Sequence, residues 1–215
     1  MEGIAENLKH FIASPSKELS ILILAGWASG ISLYLSVALL GISSQAGWIH
    51  LPGELAILSN PLIIAAACLF FIVEFVADKV PYVDSIWDSV HTVIRPLGGL
   101  MLGYFAGSEH GPVIQTAYAM FAGTLTLNMH TAKAAGRLAI NTSPEPFSNI
   151  GASLVEQSAV VLMFWFFIKH PVLATLLVLG ILVLAFVLIK LLWKFVKKLF
   201  TKREPNPVSD EACKI

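Results

Sequence analysis

Residues 74–95 of this chain read EFVADKVPYVDSIWDSVHTVIR and lie between two strongly apolar runs. Glu74, Asp78, Lys79, Asp84, Asp88, His91 and Arg95 all fall within them. At about 100° per residue, Asp84, Asp88, His91 and Arg95 share one helical stripe roughly 60° wide. Glu74 and Asp78 stand i, i+4 on one face just before Pro81. This block constrains the fold more than any other feature. Its neighbours are too apolar for a helix solvated by water, and a charge at the centre of a membrane helix costs about 2.5–3.5 kcal/mol on insertion. A chain built this way must either hold the block against opposite charge or use it.

Composition sets the class. The chain has 215 residues, 56% hydrophobic and 13% charged, with mean hydropathy +0.77. A soluble domain carries roughly 25% charged residues, so the expectation is an integral membrane protein with the lipid bilayer as its first partner. Fourteen basic residues balance fourteen acidic ones, and no nucleic-acid partner is expected. Cys68 lies in an apolar run and Cys213 in a polar tail, a pairing that suits neither a disulfide nor a zinc site. Residues 1–18 carry Glu2, Glu6, Lys9, Lys17 and Glu18 with no long apolar core. They read as an amphipathic arm, not as a cleaved signal.

The expected fold class is all-α: a polytopic membrane helical bundle of about six spans in residues 19–193. The first is Leu19–Ile42, long enough for the ~20 residues a bilayer needs and rich in small residues. Pro61–Val80 is the second, with proline at the helix start. Pro81 and the Pro96-Leu97-Gly98-Gly99 stretch make residues 84–107 a broken or re-entrant third span. Val113–Ile140 is the fourth, polar in its second half. Ile150–Ile168 is the fifth, with Ser148 or Asn149 as its cap. Val172–Trp193 is the sixth, aliphatic and facing lipid. Residues 194–215 form a basic, partly disordered cytoplasmic tail.

Six spans with both termini cytoplasmic place nearly every Lys and Arg inside and only Lys169 outside, as the positive-inside rule asks. A faint internal echo accompanies them. Ser59-Asn60 precedes a run ending Lys79-Val80-Pro81, and Ser148-Asn149 precedes one ending Lys169-His170-Pro171. Two origins stay open: an inverted repeat of three plus three spans, with halves 19–107 and 113–193, or chance.

The block EFVADKVPYVDSIWDSVHTVIRP, the His130, Lys133, Arg137 spacing and NTSPEPFSN together resemble the bacterial membrane family filed as domain of unknown function 4126. The likeness spans most of residues 20–185. It departs at Gln157, where a second acid after Glu156 is expected, and at Ser32, where a base is expected. The resemblance implies a multi-pass bacterial membrane protein whose polar blocks belong together; it implies no activity.

The residues leave three chemistries open. Acids and bases can pair as a salt-bridged scaffold, although buried ion pairs alone are a poor route to stability. Glu74, Asp78, Asp84, Asp88 and His91 can instead offer oxygen and imidazole ligands to a divalent cation, the one cofactor expected. Arg95, His130, Lys133, Arg137, Asn141 and Glu156 can hold an anionic group or move a proton, with Arg as a two-pronged partner. Motifs for nucleotide binding, zinc proteolysis and serine hydrolysis are absent. The expected function is therefore a small inner-membrane transporter or permease, working as a homo-oligomer. It would move a cation, metal or proton-coupled, or a small anionic solute. The alternatives are a membrane-embedded, metal-dependent enzyme acting on lipid phosphate, and a structural or assembly protein.

Overall fold

Prolines and one asparagine set the helix starts. Asn60 Oδ1 accepts the Leu62 amide at 2.9 Å and Pro61 takes the first helical position, where a missing N–H costs nothing. Pro81 and Pro171 begin helices in the same way. The computed structural model of the chain describes residues 2–141 and 146–201. Among them the fold is all-helical: α1 Glu2–Ile31, α2 Leu33–Gln45, α3 Pro61–Ala77, α4 Pro81–Ala106, α5 Gly111–Asn141, α6 Pro146–Lys169 and α7 Pro171–Thr201, with 3-10 turns at Gly53–Ser59 and Ser108–His110.

The run Leu19–Ile42, expected to cross once, is folded in two. α1 passes Glu18 beside His110 at 2.6 Å, Gly26 against Ala122 and Leu125, and Gly30 against Met129 and His130. It ends with the Ile31 carbonyl accepting from Lys133 Nζ at 3.1 Å. α1 therefore runs alongside α5 in the same direction. Ser32 then leaves the helical region, with φ −149° and ψ 104°. α2 returns, with Tyr34 stacked on Phe70 at 5.2 Å and Gly41 pressed against the Leu58 backbone. The two helices make a hairpin with its tip at Ser32, inside the bundle. Irregular backbone inside a bundle is tolerated only where protein satisfies its polar groups. Lys133 does so at Ile31, and Ser32 Oγ donates to Glu74 Oε2.

The break expected in residues 84–107 is not there. α4 is continuous through Pro96. Proline removes its own bond to the Thr92 carbonyl and leaves the others in place. Glycines of the stretch expected to break are contact points: a Cβ on Gly99 would strike Thr126, and one on Gly103 would strike the Tyr118 carbonyl of α5. Several boundaries also move. Residue 18 lies within α1, residue 193 lies within α7, and the second span ends at Ala77.

The interior of α1 packs Leu22, Leu24 and Trp27 against Val160, Phe164 and Phe167 of α6 and Val178 of α7. The outer faces show the reverse of a soluble protein: Leu62 is 79% and Phe147 86% exposed, while Arg95 and Glu74 are fully buried. A soluble monomer rarely exposes an apolar patch this extended. Phe147–Lys169 and Pro171–Lys194 are long and apolar enough to cross a membrane, and a third candidate arises if the pair Gly53–Ser59 and Pro61–Ala77, bent by 71°, counts as one span.

Candidate functional site

The polar residues meet at one end of the bundle, where α3 ends, α4 starts, α5 ends and α6 starts, with the hairpin tip reaching them from the opposite end alongside α5. The 3–4-residue spacing on α4 turns Asp84, Asp88, His91 and Arg95 inward. The same spacing on α5 turns in His130, Lys133 and Arg137, and all seven are buried.

Arg95 is the innermost hub. Its Nη2 donates to Glu74 Oε1 at 2.8 Å, and its Nη1 to Asp88 Oδ1 at 3.1 Å and to His130 Nδ1 at 2.8 Å. A guanidinium has donors only, so His130 Nδ1 is the acceptor and the ring proton sits on Nε2. From there it meets Thr92 Oγ1 at 3.0 Å, and Thr92 passes its own proton to the Asp88 carbonyl at 2.9 Å. His91 faces elsewhere. Its Nδ1 donates to the Trp87 carbonyl at 2.8 Å, and its ring stacks on Trp87 at 4.4 Å.

Lys133 joins the next layer. Its Nζ donates to Asp78 Oδ2 at 3.0 Å and lies 3.7 Å from Glu156 Oε2 and 3.9 Å from Asp88 Oδ1. Arg137 makes a two-pronged pair with Glu156, at 3.1 and 2.7 Å. Its Nη1 reaches Asn149 Oδ1 at 2.6 Å, the Asp78 carbonyl at 3.2 Å and Asp84 Oδ1 at 3.9 Å. Asn149 also donates to the Asp78 carbonyl at 3.0 Å. The expected cap is thus a clamp: α6 begins at Pro146 and Asn149 lies inside it, joining α3, α5 and α6. Lys79 turns away from the layer, giving its ammonium to the Phe75 carbonyl at 2.9 Å and the Phe75 ring.

Five carboxylates (Glu74, Asp78, Asp84, Asp88, Glu156) thus face three permanent cations (Arg95, Lys133, Arg137), an excess of two negative charges with every carboxylate ionised. Asp78 Oδ1 and Asp88 Oδ2 are buried and accept no hydrogen bond from the described residues. Each is an open acceptor inside the protein, able to receive a hydrogen-bond donor.

The proposed ligand set Glu74, Asp78, Asp84, Asp88 and His91 does not assemble. Among the described residues no three His, Cys, Asp or Glu come together as metal ligands. Each acid is drawn to a cation instead, and His91 to aromatic rings. The anion clamp of Arg95, His130, Lys133 and Arg137 does assemble in space, but carboxylates already hold its cations. The side chain of Asn141 lies outside the described residues. Sequence reasoning missed Ser32, Thr92 and the Ile31 carbonyl. Two had a signal: Thr92 stands i+4 from Asp88 beside the charged stripe, and Ser32 stands where the family resemblance expects a base.

No curated protein and no solved structure matches the chain. A family model does match, described as a domain of unknown function (DUF4126), over residues 19–191, which include every element of the charged layer. The chain belongs to that family.

Proposed function

We propose that this protein is a multi-pass permease of the bacterial inner membrane that moves protons, alone or coupled to a solute, through its buried charged layer. The observation that carries this reading is the excess of carboxylates over cations at the tip of the α1–α2 hairpin. Such a layer has room for one more positive charge, and the bare oxygens of Asp78 and Asp88 are its open acceptors. Protons are favoured over a divalent metal because the acids are spread over three cations, not gathered on one point. A lipid-phosphate enzyme is disfavoured because the same cations are occupied.

In this reading α3 to α7 cross the membrane and α1–α2 is a re-entrant hairpin, in place of six plain spans. The end with Lys190, Lys194, Lys197 and Lys198 is cytoplasmic. Glu18 lies at the other end, beside His110, so the N-terminal helix approaches from the opposite side. α3 and α6, which carry the internal echo, run in opposite directions, the relation an inverted duplication has. Assembly as a homo-oligomer belongs to the same proposal.

A competing reading is purely structural, because the layer ties α3, α4, α5 and α6 together. Proteoliposomes loaded with a pH-sensitive dye separate the two. An imposed pH gradient is expected to collapse at least tenfold faster with the wild-type protein than with Asp88→Asn, at unchanged melting temperature. Equal rates combined with a lower melting temperature would leave only the structural role.

A further inference from the structure

The outer face of α5 opposite the charged layer forms, with α7, a groove of about 630 Å³ lined by Thr131, Ala135, Ile189, Lys190, Trp193 and Lys194. Lys133 and Arg137 point inward from the same turns of α5, so the groove is separate from the charged layer. Its floor is apolar and its rim is basic. Lys190 and Lys194 stand i, i+4 on one face of α7. Neither α5 nor α7 contains an Asp or Glu. Among the described residues neither lysine enters an ion pair, and Lys190 lies over the Phe186 ring at 4.4 Å. The rim therefore presents positive charge that the protein leaves unneutralised.

Depth identifies the occupant. Pro171 and Lys190 are separated by 19 residues of helix, about 28 Å at 1.5 Å each. That nearly equals the ~30 Å thickness of bilayer hydrocarbon. With α7 starting at one membrane face, Lys190 and Lys194 arrive at the headgroup level of the other. Trp193, 72% exposed, sits where interfacial tryptophans collect. We infer that this groove is a binding site for an anionic phospholipid, with an acyl chain along Ala135 and Ile189 and the phosphate between Lys190 and Lys194. A basic pocket between membrane helices at the interface is the arrangement that holds such headgroups. The bound chain would fill the space between α5 and α7 and brace α5 from the side opposite its charges.

Native mass spectrometry of the full-length protein in detergent tests this, with phosphatidylglycerol against phosphatidylcholine of the same chain length. The wild-type protein is expected to retain phosphatidylglycerol at least tenfold better. Lys190→Gln with Lys194→Gln is expected to abolish the preference. Lys197→Gln with Lys198→Gln removes as much charge outside the groove and is expected to keep it. Ala135→Trp fills the floor without touching charge and is expected to reduce retention. Equal retention of both lipids by the wild-type protein would overturn the site, as would equal loss in the two lysine pairs, which would assign the effect to the basic helix end at large.

Discussion

Arg95 lies where Glu74, Asp88 and His130 converge, and its surroundings make it the least replaceable side chain in the molecule. Removing it takes the cation from buried Glu74 and leaves Asp88 only Lys133, at 3.9 Å, a change that costs about 3–5 kcal/mol. Arg95→Met is therefore expected to lower the melting temperature in detergent by several degrees. Arg95→Lys is expected to restore only part of it, because an ammonium lacks the planar fork that reaches Glu74, Asp88 and His130 at once. At this scale the charged residues were legible in the sequence, since helical spacing alone puts Asp84, Asp88, His91 and Arg95 on one stripe. The roles of Ser32 and Asn149 were not. A serine in an apolar run packs helices, bonds its own backbone or meets a distant charge, and only the fold brings Glu74 to Ser32. Asn149 looked like a cap because it precedes an apolar run; the helix starts three residues earlier, which frees its side chain for Arg137.

Among the described helices, α4 and α5 pack over the most extensive interface, and glycine lets them do so. Gly99 and Gly103 let α4 approach Thr126 and the Tyr118 carbonyl, and Gly123 of α5 receives Leu100 in return. Close approach through small residues is how helices associate in lipid, where no hydrophobic drive exists between them. It also holds Arg95 and His130 within reach of each other. Gly103→Val is expected to destabilise the protein by about 1–3 kcal/mol, as overpacking does. Gly136→Ala, with nothing within 4 Å of the added methyl, is expected to leave the melting temperature unchanged or slightly raised. Reading Gly98-Gly99 as part of a break failed because a glycine pair signals bending and close packing alike. The converse error fell on Leu19–Ile42. Its length and hydropathy match a crossing, and no proline marks Ser32, so the turn depends on partners more than 40 residues away, such as Glu74.

The whole molecule is a protein turned inside out, with charge buried and large apolar side chains outward. Its topology can be checked directly. With the hairpin re-entrant, Lys17→Cys and Glu109→Cys are expected to react with a membrane-impermeant maleimide from the same side, and Lys198→Cys from the other. Labelling of Lys17→Cys together with Lys198→Cys would restore a first span that crosses. Composition and periodicity by themselves determined the all-helical class, the apolar exterior and the identity of the charged set, because these follow from local spacing and summed hydrophobicity; the family likeness rested on the particular residues of the polar blocks. Which acid meets which base was decided only by the tertiary structure. So were the hairpin at Ser32, the continuity of α4 and the dispersal of the would-be metal ligands among three cations. In a low dielectric each charge takes the nearest opposite charge, and nearness between α1, α3, α4, α5 and α6 is a property of packing that no single stretch of sequence carries.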